Sequence, residues 1–395
     1  MSLLPFNPFS EEFTHDRYAV YRRYLADGPI HPGVVGQPGR WGDTWYVFGY
    51  NQCVQVLKDS RLGREGLYAH QPSAEPSVLN SILLLDPPNH TRLRRLVNLA
   101  FTPRAVEQAL PRLDTLIKEV LDDLEGRDSW DLIQDFAFPF PVTVISDLLG
   151  VPIADRGLIR QWSRALTAGI DATQDRDTFV QAQKANHAFR QYVREVIRDH
   201  RAHPQEDLLT ALLQAREEGD RLTEDELITM VTLLVVAGHE TTVNLIGNGL
   251  WALFQHPKAW ATVRAQGLSD RGVDELLRYD SSVQATSRLC NEPITINDTD
   301  IAEGDVVICL LGSANHDPQV FSHPEQLDLE RYPNRHLSFG GGIHTCLGNT
   351  LARAEGRVAI NALLTRYPGL RPLESQPRWR PGFVFRGLES LAVSG

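Results

Sequence analysis

One long helical pattern, from Glu224 to about Gln255, constrains this chain more than any other feature. It opens at Thr223-Glu224-Asp225-Glu226, where the Thr223 hydroxyl can cap the first turn and Glu226 can reach back to the cap. It stops before Pro257, because proline cannot continue a helix. About 32 residues rising ~1.5 Å each make a rod of roughly 48 Å. Such a rod crosses a whole domain.

Three further stretches, 89–101, 104–125 and 178–202, carry apolar residues at three-and-four spacing and are predicted helices. Strand patterns are short: Thr44–Phe48, Ile294–Ile296, Asp305–Leu310 and Phe383–Phe385. No repeat or linker divides the sequence, so the expected fold is mainly α with small peripheral β-sheets, one domain over 1–395. Two long irregular segments, 60–88 and 315–345, are expected to be functional loops. The net charge of −11 argues against nucleic acid as a partner. Pro5 and Pro8 break the short apolar start, which reads as neither signal peptide nor membrane span, and a cytoplasmic protein is expected. Cys53, Cys290, Cys309 and Cys346 form no C-x-x-C pair, so neither a zinc site nor a disulfide framework is suggested.

Cys346 stands apart through its surroundings. Residues 338–348 read SFGGGIHTCLG, and Leu347, Leu351, Ala354 and Val358 then recur at helical spacing. A cysteine at or beside a helix start is favoured as thiolate by the dipole and the unpaired N–H groups. Gly340, Gly341 and Gly342 let backbone approach a flat ligand and reach positive φ. Phe339 can shield the sulfur, and His344 offers a polar handle. Neither the dinucleotide nor the phosphate-loop glycine pattern fits, and a buried inert thiol is the plain alternative.

The long helix breaks local rules in its middle. After LITMVTLLVV come Ala237, Gly238, His239, Glu240, Thr241 and Thr242. Glycine is worth about 1 kcal/mol less than alanine in a helix. A carboxylate in an apolar run needs a partner or water, and threonine hydroxyls bond back to carbonyls. Such conflicts mark function, the alternative being a solvent-facing polar stripe.

The string Phe339-Gly340-x-Gly342-x-His344-x-Cys346-x-Gly348 resembles the haem-binding loop of the cytochrome P-450 superfamily. Ala237-Gly238-His239-Glu240-Thr241 is similar to that family's central-helix stretch above the iron. The resemblance covers nearly the whole chain, in register from about Leu83 to Leu370. It implies the cytochrome P-450 fold and haem b (iron protoporphyrin IX), with Cys346 as axial thiolate and metal ligand. It places Phe339, Gly340, His344 and Gly348 around that ligand, His344 on a haem propionate, and Ala237 at the haem. His90 and Arg94, one turn apart after Asp86-Pro87-Pro88, and Arg288 are implied propionate contacts. Gly238 would border a groove for dioxygen, Thr241 would support the activated oxygen, and Glu240 would relay protons through water.

Glu275-Leu276-Leu277-Arg278 matches the family's Glu-x-x-Arg motif. The spacing also occurs at Glu195–Arg198 and Glu218–Arg221, and only the place before Cys346 selects this copy, with Arg331 as third member. Arg92 and Arg95 could greet an acidic electron donor. Two positions depart from the family: Ser282 where proline is common and His316 where arginine is common.

The expected function is a soluble monooxygenase inserting one oxygen atom from O₂ into a mostly hydrophobic small molecule, by hydroxylation or epoxidation, in secondary or lipid-like metabolism. Electrons would come from a ferredoxin-type donor and an NAD(P)H-dependent reductase. The substrate pocket is expected from residues 60–85, Leu233–Ala237, Val283–Thr286 and Phe383–Phe385. The rivals are a peroxide-driven haem enzyme and a non-catalytic haem sensor.

Overall fold

The computed structural model describes residues 3–34, 42–67, 81–171, 176–217 and 219–395. Helices dominate, and the sheets are small. The expected helices appear as Asn89–Ala100, Pro103–Asp122, Arg176–Ala202 and Glu224–Gln255. Further helices include Arg17–Asp27, Tyr50–Lys58, Pro139–Leu148, Arg156–Asp171, Asp270–Tyr279 and Asn349–Arg366. The chain forms two compact units, the first of Met1–Leu67, Asn248–Cys346 and Trp379–Leu388, the second of Tyr68–Gly247, Leu347–Arg378 and Glu389–Gly395.

The first unit holds a five-stranded sheet of β1 (Ile30–Pro32), β2 (Thr44–Val47), β3 (Leu62–Gly63), β4 (Ala285–Cys290) and β5 (Val306–Leu310), in the order β1-β2-β5-β4-β3. β5 runs parallel to β2 and antiparallel to β4. Every residue of β5 is buried, and strand alternation sends neighbours to opposite cores. Val307 and Cys309 enter a cluster with Val47, Cys53, Leu57 and Cys290. Val306, Ile308 and Leu310 enter an aromatic cluster around Phe6. The Phe6 ring meets Phe13, Tyr24, Tyr46 and Phe48 edge-on, at 4.7 to 5.4 Å between centroids, the geometry the ring quadrupole favours. Phe383 packs against this cluster, and the strand expected at Phe383–Phe385 is a single bridge between Val283 and Phe385.

The Glu-x-x-Arg pair lies fully buried in the first unit. Glu275 takes two hydrogen bonds of 2.8 Å from Arg278, one of 3.0 Å from Arg331 and one of 3.2 Å from Asn334. The Asp328 N–H adds another at 2.9 Å. Remaining guanidinium hydrogens go to carbonyls of the irregular 315–334 segment, from Arg278 to Asn315, Pro324 and Gln326, and from Arg331 to Ser322. Arg331 is the third member.

The second unit is mostly helix, with a three-stranded sheet of Arg371–Pro372, Ala392–Ser394 and Trp130–Asp131 and the strand pair Arg216–Glu217 and Asp220–Arg221. The long helix opens with the expected capping box: Thr223 N–H donates to Glu226 Oε2 at 2.8 Å, and Glu226 N–H to Thr223 Oγ1 at 3.2 Å. It is long and apolar enough to cross a membrane, yet 78% of its most apolar window is buried inside the protein. It is a core helix.

His316, one of the two departures, is buried in the first unit, its Nε2 donating to the Tyr279 carbonyl at 2.8 Å and its ring 4.5 Å from that of Tyr18. Burial, helped by the Arg278 charge, pushes its pKa down to about 3. Ser282, the other departure, is buried and accepts the Arg386 N–H at 2.9 Å on its carbonyl.

Two predictions follow from the first unit. Glu275→Gln leaves two buried guanidinium groups without their countercharge and should lower the unfolding free energy by about 3 to 5 kcal/mol, the size for breaking one side of a buried pair. Urea unfolding measures it, and a loss under ~1 kcal/mol would contradict the assignment. His316 is held neutral in the fold but protonates near 6.5 when unfolded. The stability it contributes is therefore complete above pH 6.5 and lost as pH falls towards 3. The thermal midpoint of the native protein should fall more steeply over that window than that of His316→Gln; equal slopes would refute the account.

Candidate functional site

In the first unit, the irregular segment ends in a tight turn leading to Cys346. Leu337 N–H donates to Asn315 Oδ1 at 2.7 Å, and Asn315 Nδ2 donates to the Ser281 and Ser338 hydroxyls at 2.8 and 2.9 Å. Gly340 N–H then bonds Leu337 O at 2.8 Å, and Cys346 N–H closes back on Phe339 O at 2.9 Å. Gly340 and Gly342 have φ of 69° and 66°, conformations that favour glycine. A Cβ on Gly342 would stand 2.2 Å from the Leu57 carbonyl oxygen. Gly341 corrects the expectation for all three glycines: its φ of −167° is open to any residue.

Cys346 differs physically from the other three cysteines. Those are buried in the core; Cys346 is partly exposed. Burial pushes the Cys53 thiol well up and the Cys290 thiol up, so both are held as unreactive thiols. The following helix begins at Asn349, three residues beyond Cys346, and Gly348 is its cap. His344 ends the one-turn helix Gly342–His344 and is half-buried, as is Phe339. Arg288, on β4, is buried, with Nη1 donating to Ser287 O at 2.9 Å.

In the second unit, the interruption of the long helix has two sides. Ala237 is exposed, and Gly238 and Thr241 are half-exposed, on a helix whose other residues nearby are mostly buried. Positions i, i+1 and i+4 form one strip of surface. His239 and Glu240 are buried on the opposite side. Thr241 Oγ1 donates to Ala237 O at 2.8 Å and Thr242 Oγ1 to Gly238 O at 3.3 Å, the back-bonding expected of threonine in a helix. A Cβ on Gly238 would reach Ile145 only at 3.5 Å, an ordinary contact, so packing by described neighbours does not demand glycine there.

His90 and Arg94 sit one turn apart on Asn89–Ala100, His90 buried and Arg94 half-buried. Burial first, then the Arg94 charge, lowers the His90 pKa. Arg92 and Arg95 are engaged within the second unit, Arg92 with Asp220 at 3.1 Å and with Glu226, Arg95 with Glu217 at 3.2 Å.

Sequence reasoning missed three polar groups. Asn315 orders the cysteine loop. Ser163 meets His239, and Glu355 lies beneath Thr242 on the helix Asn349–Arg366, where burial raises its carboxyl pKa well above the usual range. Glu355 could have been noticed as a charge beside the apolar positions Leu351 and Ala354.

In the first unit a partly exposed sulfur ends a turn that a side chain on Gly342 would block; in the second the apolar long helix turns a smooth strip of Ala237 and Gly238 outward. Gly342→Ala must strain the left-handed backbone by about 1 to 2 kcal/mol and displace the Leu57 carbonyl. That variant should lose most of the haem that the resemblance implies, while Gly341→Ala, with only side-chain neighbours at 3.4 Å or more, should retain it. Haem content of the two purified variants decides, and equal retention would contradict the turn argument.

A family model described as Cytochrome P450 matches residues 167–266 and 268–383. The cytochrome P450 monooxygenase PikC of Streptomyces venezuelae is 40% identical over 403 residues, covering 99% of this chain and 94% of the relative. The solved structure of the bacillaene polyketide synthase cytochrome P450 PksS of Bacillus subtilis 168 superposes with a TM-score of 0.90 at 38% identity, covering 98% of this chain and 99% of that one. The structure of P450BioI in complex with acyl carrier protein ligated to hexadec-9Z-enoic acid has a TM-score of 0.88 at 38% identity, covering 98% of this chain and 100% of that one. The chain therefore belongs to the cytochrome P450 family: it has the mainly α, single-domain fold and haem-thiolate cofactor of that family, and it is a monooxygenase of the oxidoreductase class.

Proposed function

We propose that this chain, working over 1–395 as one haem-thiolate domain, inserts one oxygen atom of O₂ into a mostly hydrophobic small molecule. The cofactor would be haem b, held by the Cys346 thiolate. When bound, thiolate-ligated haem supplies the activation of dioxygen. The protein supplies the rest. Gly340 and Gly342 bring backbone close to the ring, with Phe339 beside the sulfur and Gly348 at the start of the next helix. His90, Arg94, Arg288 and His344 would pair with the propionates. Ala237 and Gly238 would offer the ring a smooth strip with room for a diatomic molecule. Thr241, whose hydroxyl now bonds the Ala237 carbonyl, can turn it towards oxygen. Glu240 passes protons in from behind.

The observation that carries the reading is the two-sided interruption of the long helix: a small-residue strip outward at Ala237, Gly238 and Thr241, a carboxyl buried behind it. A haem carrier needs neither side.

Relatives in bacteria draw electrons from redox partners, and we assign a ferredoxin-type protein with an NAD(P)H-dependent reductase to this one. Arg92 and Arg95 are engaged with Asp220, Glu226 and Glu217, and we place the donor on the cysteine side. The substrate class is a fatty-acyl or polyketide-like chain; one relative was solved with a carrier-borne fatty acid, and another serves a polyketide synthase. Of the expected pocket, residues 68–80 lie outside the described residues, and Phe383 is partly buried against the aromatic cluster. The helix face at Leu233–Ala237 and Val283–Thr286 remain the lining proposed. The apolar long helix is buried and the chain carries a net charge of −11, which supports a soluble, cytoplasmic enzyme.

The reduced protein with carbon monoxide should show the strongly red-shifted Soret band of thiolate ligation, and Cys346→Ser should abolish it. Persistence of that band in Cys346→Ser would remove Cys346 from its role. With haem and donor proteins present, Thr241→Ala should keep the band but lose at least about tenfold in product formed per reductant, the low end of what positioned proton delivery contributes. The missing product should appear as peroxide.

A further inference from the structure

The strand pair before the long helix sets like charges against like. Its strands, Arg216–Glu217 and Asp220–Arg221, run antiparallel with Arg216 opposite Arg221 and Glu217 opposite Asp220. Side chains alternate between faces along a strand, so one face carries two guanidinium groups and the other two carboxylates. Like charges directly opposite are destabilising, and strands of two residues have little else to offset them. The acidic face is resolved: the helix Asn89–Ala100 brings Arg95 to Glu217 at 3.2 Å and Arg92 to Asp220 at 3.1 Å. The basic face is not. Arg216 and Arg221 are exposed, and among the described residues neither guanidinium meets a carboxylate.

Both arginines line a groove of about 740 Å³ that lies wholly in the second unit. Its walls come from the last turn of the helix Arg176–Ala202, the helix Leu208–Gln214 and the start of the long helix. The other charges of the lining are already matched. Arg201 pairs with Glu224 at 2.9 Å, and His200 pairs with the buried Asp207 at 2.9 Å. Arg216 and Arg221 are left as an excess of two positive charges, in a chain whose net charge is −11. Leu213 and Leu222, both half-buried, add apolar surface to the same groove. A cleft lined by one sign of charge concentrates ions of the other, and a volume of this size holds a small molecule.

We propose that this groove is a binding site for a small amphipathic anion, its carboxylate or phosphate head held between Arg216 and Arg221 and its apolar body along Leu213 and Leu222. A planar guanidinium matches two oxygens of such a head at once, and two of them directly opposite take it from both strands. The bound anion supplies the countercharge that Arg92 and Arg95 supply on the other face. No residue assigned to haem, dioxygen or substrate takes part, so the site stands apart from the function proposed above.

The test uses the haem-loaded enzyme and follows hydrogen–deuterium exchange of the segment 208–227 with decanoate, decyl phosphate, neutral decanol and inorganic phosphate. Decanoate or decyl phosphate should slow exchange there, and the tighter of the two identifies the head. Decanol and inorganic phosphate, each lacking one half of the ligand, should bind at least about tenfold more weakly. Replacing Arg216→Gln and Arg221→Gln together should weaken the tighter probe by a similar factor, the size of a lost hydrogen bond to a charged group. Protection that persists in that double variant is what binding in the substrate pocket alone would give, and it overturns the proposal. Equal protection by decanol removes the arginines from the site, equal protection by inorganic phosphate removes the apolar half, and no protection by any probe removes the site. A second measurement needs no ligand. The double variant should melt no lower than the native protein, because only a like-charge conflict is lost; a lower midpoint would mean that the arginines are already paired within the protein, and the proposal would fall.

Discussion

A carboxylate with no access to water must be given its hydrogen bonds by the chain, and Glu275 draws them from segments far apart in sequence. The pairing does more than neutralise charge. The 315–334 segment has little regular structure, yet its buried carbonyls need donors as much as those of a helix. Arg278 and Arg331 supply them, each facing Glu275 on one side and loop backbone on the other. One negative charge thus anchors two cations, and the cations hold the loop. Asn315 continues the anchorage into the turn before Cys346. The cysteine is placed by a polar scaffold, where a strand or helix would use its own ladder.

This explains which parts of the molecule were legible beforehand. Elements that carry their own signals read well. The long helix, with its capping box and closing proline, has the expected bounds of Glu224–Gln255, and Ile294–Ile296 is a strand to the residue. Helices set by packing, such as Arg17–Asp27 and Pro139–Leu148, went unread. The first is dominated by arginine and tyrosine, whose burial depends on the aromatic cluster it joins. The second is apolar on nearly every side and so shows no period. Phe383–Phe385 differs for the converse reason: aromatic composition suggested a strand, but only Phe385 makes a bridge, and Phe383 packs its ring against the aromatic cluster.

The candidate site divides along the same line. Cys346, Glu240 and Thr241 announce themselves because each violates a local rule within a few residues. Ser163, Asn315 and Glu355 violate none that can be seen locally. Serine and asparagine suit a surface equally well, and Glu355 is conspicuous only once its side of the helix is known to be buried. Partners of a conflict are recruited from elsewhere in the fold, so sequence shows the conflict and structure shows its resolution.

Glu226 illustrates how one resolution can serve two ends. Its Oε2 accepts the Thr223 N–H in the capping box, while its Oε1 meets Arg92 on the helix Asn89–Ala100. Asp220, on the strand Asp220–Arg221 before the cap, holds the same guanidinium. Arg92 was a candidate for meeting an acidic partner, and a free cation on a helix would suit that. Bound twice over, it ties the helix that carries His90 and Arg94 to the start of the long helix. A half-exposed ion pair is worth about 1 kcal/mol at most, so its contribution to stability is small. Its contribution to geometry is larger. The carboxylate that starts the long helix is what holds the helix of His90 and Arg94 in place.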